Sequence, residues 1–217
     1  MSCKYGRSLM LLLLVSGGAL YAGAAIVYDE ASSPDLSNSG LSPTNITVAG
    51  GSNQIFGTTG RGSAGLDRDY FTFTVPTGFD LTSLMVLPGT TSGGAISFIG
   101  LEAGNQVTLP TNAPDAAGLL GWRHYSPADI NTDLLPQMAV ATGGSSGFSV
   151  PLEAGAYSVW IQDFNSGTFN YGFDLTLTPS ASGAVPEPGT YGLSLVAIGF
   201  ATVFAFQRWR PRKLRRG

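Results

Sequence analysis

The stretch Asp69-Tyr70-Phe71-Thr72-Phe73-Thr74-Val75 alternates its side chains with a period of two. Successive side chains of a β-strand point to opposite faces, so Phe71, Phe73 and Val75 fall on one side and Tyr70, Thr72 and Thr74 on the other. Pro76 ends the run because it brings no amide hydrogen to a ladder. Two further stretches carry the same period. In 156–162, Tyr157, Val159 and Ile161 alternate with Ser158, Trp160 and Gln162, and in 170–178, Tyr171, Phe173, Leu175 and Leu177 alternate with Gly172, Asp174, Thr176 and Thr178. Each reads as a strand with one buried face.

Outward from these three, weaker strand candidates lie at 45–48, 53–56, 81–87, 96–101, 106–109, 119–123 and 148–150, separated by Gly, Ser, Asn and Pro clusters. Between residues 25 and 184 there is no long helical periodicity. Many short strands with turn signals between them predict a mainly β fold, an antiparallel β-sandwich of jelly-roll type. One segment departs from the pattern. Ser126-Pro127-Ala128-Asp129 has a capping residue, a proline at the first helical position and an acid at the third, which predicts a short helical turn before 132–138, covering one open end of the sandwich.

The 160 residues from Ala25 to Ala184 are one domain's worth of chain, enough to bury a core without help. They carry only three cations, Arg61, Arg68 and Arg123, against thirteen acids, a net charge of −10 concealed within the overall −3. Nucleic acid is excluded as a partner on that balance, because phosphate binding needs a basic patch. The single cysteine, Cys3, precedes everything that folds, so a disulfide framework is excluded too.

The two ends have a different chemistry. Lys4 and Arg7 precede an apolar run, 8–20, and Ala22-Gly23-Ala24 offers small residues for cleavage, the layout of a secretory signal peptide over 1–24. At the other end, Val185-Pro186-Glu187-Pro188 leads into eighteen uncharged residues, 189–206. At about 1.5 Å of rise per residue these span about 27 Å as a helix, close to the hydrocarbon thickness of a bilayer, which predicts one transmembrane helix over 189–207. Pro186 and Pro188 bound it on the outer side. The tail 208–217 holds six cations, Arg208, Arg210, Arg212, Lys213, Arg215 and Arg216, which belong on the cytoplasmic side and leave the domain outside.

This order of proline–acid–proline triplet, apolar helix and arginine cluster resembles the PEP-CTERM sorting signal of exported bacterial proteins, a tail also called an ice-binding protein C-terminal domain. The resemblance implies an inner-membrane anchor, cleavage near Pro186 by an exosortase-type membrane protease, and delivery to the cell surface or extracellular matrix. The 25–184 region is similar to bacterial pre-peptidase C-terminal domains over 67–76, 152–162 and 175–178, while 88–149 departs from them. That second resemblance implies a small secreted β-sandwich, of a kind in which some members bind polymers or calcium.

The candidate sites are few. Gly143-Gly144-Ser145-Ser146-Gly147 matches G-x-S-x-G, but a nucleophile elbow needs a strand-to-helix turn with its histidine following, and the sole histidine, His124, precedes it. The reading is of a glycine-serine loop and of a protein that is not an enzyme. One histidine and no available cysteine also argue against a zinc site. The acidic excess suits a hard cation, with Asp67, Asp69 and Asp163 as calcium candidates, although no EF-hand spacing is present and no cofactor is expected. Trp122, Tyr125 and Trp160 are candidates for a sugar-binding aromatic platform, Trp160 foremost because it shares a strand face with Ser158 and Gln162. A structural or interaction role at the surface is therefore the first expectation, and a module binding surface polysaccharide the alternative.

Overall fold

A computed structural model describes residues 23–94 and 97–181. The signal segment up to residue 22 and the sorting segment, Val185 to Gly217, lie outside the described residues. Among the described residues no helix is long and apolar enough to cross a membrane.

The chain is mainly β. Its strands are β1 (Ala25–Asp29), β2 (Thr44–Asn45), β3 (Gly51–Gly62), β4 (Gly65–Val75), β5 (Phe79–Val86), β6 (Ser97–Ala103), β7 (Gly121–Tyr125), β8 (Gly155–Gln162) and β9 (Gly167–Pro179). They form one curled sheet in the order β5-β9-β3-β4-β8-β6-β7, antiparallel throughout that path, with β1 added parallel to β3 and β2 parallel to β4. The three strands with the clearest alternation are β4, β8 and β9, and all three are longer than their sequence signal. Of the weaker candidates, 106–109 and 148–150 are not strands, and β1 was not anticipated.

The curl is made at the β3–β4 hairpin. These two strands pair only at its tip, from Gly60 opposite Asp67 to Gly62 opposite Gly65. Below the tip they part: β3 pairs with β9 from Gly51 to Gly60, and β4 pairs with β8 from Arg68 to Val75. The sheet thus divides into two halves that face each other. Ile55, Phe173 and Leu175 from one half and Phe71, Phe73, Val159 and Ile161 from the other belong to a single buried cluster. Tyr125 of β7 meets Phe173 of β9 edge-on across it, with ring centroids 5.1 Å apart. Each such side chain contributes about 1.5–3 kcal/mol when fully withdrawn from water.

The Ser126 turn forms as its sequence dictates. A 3-10 turn spans Pro127–Asp129, Ala128 N–H donates to Ser126 Oγ at 3.2 Å, and Ser126 N–H donates to Asp129 Oδ2 at 2.8 Å, a reciprocal capping box. An α-turn, α1 (Leu135–Met138), the one among the described residues, follows and packs against β5 and β7, the two ends of the strand path. Leu134, Leu135 and Met138 are wholly buried there, so the segment closes the gap between the halves along one side.

The outer face of the second half is covered as well. Residues 104–120 cross it, and Val107, Ala116 and Leu119 pack on Tyr70 and Trp160 as a second, smaller core with Phe98, Leu109 and Trp122 at its margin. This layer decides what the surface offers.

Candidate functional site

Two places combine chemistry with shape: one on the outward faces of β6, β7 and β8, the other where the inward-facing Asp69 of β4 meets the segment after β1. The first is an aromatic groove. In β6, Phe98, Gly100 and Glu102 point away from the main core, and in the ladder Gly100 stands between Trp122 of β7 and Trp160 of β8. Having no side chain, Gly100 leaves a gap into which the Phe98 ring and Leu119 settle. Phe98 stacks on Trp122 at 6.0 Å and meets Trp160 edge-on at 5.1 Å, and Trp122 meets His124 edge-on at 5.2 Å. The result is an open groove of about 430 Å³ whose walls include Trp122, His124, Asp115, Gln162 and the exposed Phe164.

The three aromatic candidates part company here. Trp122 is partly buried and forms a wall, with its Nε1–H donating to Thr142 O at 3.0 Å. Trp160 lies at the base, only 4% exposed, and its buried Nε1 has no acceptor. Its outward direction is as the alternation implied, but segment 104–120 lies over it. Tyr125 is 1% exposed and points into the main core, so it takes no part in the groove. Phe98 and Phe164 complete the aromatic set. The alternation through β6 puts Phe98 on this face, whereas nothing local to Phe164 marks it.

The second place is an acidic cluster at the seam between the halves. One carboxylate oxygen from each of Glu30, Asp35 and Asp69 lies within 4.8 Å of the others. Glu30, just after β1, is positioned by Leu36 N–H on Oε1 at 2.9 Å and Thr58 N–H on Oε2 at 2.8 Å. Asp69 is completely buried on β4; Tyr171 Oη of β9 donates to its Oδ2 at 2.7 Å, and its Oδ1 has no partner. Gly57 of β3 makes the cluster possible, because a β-carbon there would run into the Tyr171 hydroxyl and the Glu30 carboxylate.

Crowded acids resist ionisation. Burial first, then the Glu30 charge, push the Asp69 carboxyl up to about 9 despite the Tyr171 hydrogen bond, with Asp67 and Asp35 adding to the shift. Burial also raises Glu30, opposed by its two backbone hydrogen bonds, and raises Asp67, where Asp35 adds to the effect.

Of the calcium candidates, Asp69 therefore sits in an acidic cluster. Asp67 flanks it, with Asn38 Nδ2 donating to its Oδ1 at 3.2 Å. Asp163 is elsewhere: both oxygens are engaged by Gly93, Ser97 and Asn165, which makes it a loop staple. Glu30 and Asp35 were not anticipated, and no sequence spacing signals them, since they lie more than thirty residues before Asp69 in the chain.

The Ser145 loop is not a strand-to-helix turn. Ser145 Oγ donates to Thr142 O at 2.8 Å and accepts from Thr142 N–H at 3.1 Å, which closes the loop on itself. His124 Nδ1 lies 3.3 Å from Ser97 O on β6. The sorting residues Val185, Pro186, Glu187 and Pro188, and the cations from Arg208 to Arg216, lie outside the described residues.

Comparison with protein-family models, with curated proteins and with solved structures yields no match.

Proposed function

We propose that this chain is an exported β-sandwich of jelly-roll type with a structural or interaction role at the cell surface or in the extracellular matrix, sorted through its C-terminal signal. The observation that carries the reading is the order of segments at the end of the sequence: Pro186-Glu187-Pro188, eighteen uncharged residues, then six cations. An N-terminal n-region, apolar run and small-residue site support it, as does an acidic body, residues 25–184, that contains no cysteine. In this reading a single helix holds the protein in the inner membrane, and an exosortase-type protease releases it.

Mass spectrometry of the C-terminus, on protein recovered from cells and from medium, tests the proposal. A new terminus near Pro186 on surface or released material is the expected result. Gly217 retained on all surface material contradicts cleavage and leaves a permanent anchor.

A second reading, a module for surface polysaccharide, draws on the aromatic groove. Sugar rings stack on indole and phenyl faces, and Asp115, His124 and Gln162 stand close enough to the Trp122 wall to take part in hydroxyl hydrogen bonds. Trp122→Ala should cut retention on the producing organism's own polysaccharide by about tenfold, a loss of about 1.4 kcal/mol, while the thermal midpoint moves by a few degrees at most. Unchanged retention removes the groove from consideration. Trp160→Ala is no substitute for this test, because emptying a buried tryptophan site costs about 3–5 kcal/mol of stability.

A further inference from the structure

The aromatic groove holds a hydrogen-bond donor with nothing to bind. Across β4, β8, β6 and β7 the strand registers set Arg68, Gln162, Phe98 and His124 in one row on the outward face. Gln162 lines the groove although it is only 5% exposed, and Arg68 Nε donates to its Oε1 at 3.1 Å. That bond fixes the amide, because a guanidinium can only donate and must therefore face the oxygen. Nε2 is what remains for Gln162 to offer, and it makes no hydrogen bond among the described residues. An unpaired donor on a nearly buried side chain is a standing cost that an acceptor on a ligand would remove.

The other polar groups of the groove accept. Asp115 is exposed; its Oδ1 takes the Ala117 N–H at 3.0 Å, which leaves Oδ2 for a ligand. His124 Nδ1 lies 3.3 Å from Ser97 O, which places the proton on Nδ1 and leaves Nε2 as an acceptor. Apolar walls of Phe98, Leu119 and Trp122 stand with them, and among the described residues no Lys or Arg lines the groove. A uronate or sulfate would meet the Asp115 charge there and an acidic domain around it. An uncharged glycan meets neither. Most of the walls come from 88–149, the stretch that departs from the pre-peptidase C-terminal pattern.

We propose that the groove takes glycans built from uncharged 2-acetamido sugars, with Gln162 as the residue that selects the acetamido group. The proposal rests on the polysaccharide reading of the groove and narrows it. A hydroxyl both donates and accepts, whereas a carbonyl oxygen only accepts, and Gln162 offers only a donor. The acetamido N–H suits the free oxygen of Asp115, its methyl suits the Phe98 and Leu119 walls, and the pyranose ring suits the Trp122 face. A site built around an unpaired donor discriminates against an analogue without the matching acceptor.

The test uses the full chain in detergent, titrated in a calorimeter with three β-linked tetramers, of N-acetylglucosamine, of glucosamine and of glucose. The acetylated tetramer should bind at least about tenfold tighter than either of the others. Gln162→Glu keeps the shape and the Arg68 bond but replaces the donor by an acceptor, and should weaken the acetylated tetramer about tenfold while leaving the glucose tetramer unchanged. Asp115→Asn, on an exposed residue, should weaken the acetylated tetramer severalfold and keeps the test open if the Gln162 variant does not fold. A preference that survives both variants overturns the proposal. So does an acetylated tetramer that binds no tighter than the other two; if that binding is lost in Trp122→Ala, the polysaccharide reading still stands. No binding of any tetramer overturns the proposal as well, and retention of parent and Trp122→Ala on the organism's own polysaccharide then decides whether the broader reading falls with it.

Discussion

Asp163 receives four hydrogen bonds, two from Gly93 N–H and Ser97 Oγ on Oδ2, both at 2.7 Å, and two from the backbone and side chain of Asn165 on Oδ1, at 2.9 and 2.8 Å. Burial pushes its carboxyl up, but the four donors together outweigh burial and hold it below the ordinary aspartate range. A carboxylate with a depressed folded pKa stabilises the protein above its unfolded value, about 3.9, and that stabilisation is lost as pH falls through the folded value. Asp163→Asn places an amide donor against existing donors and should cost about 2–3 kcal/mol at pH 7. Urea unfolding at pH 7 and again below pH 4 checks this. The gap between parent and variant should narrow in acid, and a gap independent of pH would show that charge is not what holds these loops.

At the scale of elements, the capping box at Ser126 and the α1 segment act together. The 3-10 turn Pro127–Asp129 aims the chain so that Asp133 Oδ1 can accept from Leu84 N–H of β5 at 2.9 Å and Leu135 N–H at 3.0 Å. Leu134, Leu135 and Met138 then fill the gap between the two halves of the sheet. Ser126→Ala removes the hydroxyl that accepts from Ala128 N–H and should lower stability by about 1 kcal/mol, read as a shift of the urea midpoint with an unchanged slope. A fallen slope would mean instead that the closing segment had detached in the native state. The turn was legible because its four residues carry the whole signal. Where it would dock was not, since β5 and β7 come together only once the sheet has curled.

For the whole molecule, the pairing of β3 with β9 dominates. Gly51 faces Leu177 and Gly60 faces Thr168, so neighbouring strands come from opposite ends of the domain. Loop closure must precede the reward of such contacts, and folding should take about milliseconds to seconds, as in other β-rich domains. Stopped-flow tryptophan fluorescence after dilution from urea measures this directly. A transition complete within microseconds would mean that local structure, not the β3–β9 ladder, limits folding.

The sequence by itself determined the inner faces. Phe71, Phe73, Val159, Ile161, Phe173 and Leu175 are all buried where a period of two placed them, because alternation is a property of the strand backbone and needs no knowledge of the partner strand. It also determined the mainly β class and the acidic balance. Tertiary structure alone decided what happens on the other faces. Trp160 points outward as read, yet lies beneath residues 104–120, because periodicity gives a side chain's direction and not what rests upon it. Glu30, Asp35 and Asp69 meet for the same reason: a cluster assembled across the β3–β4 curl depends on distances that no spacing along the chain encodes.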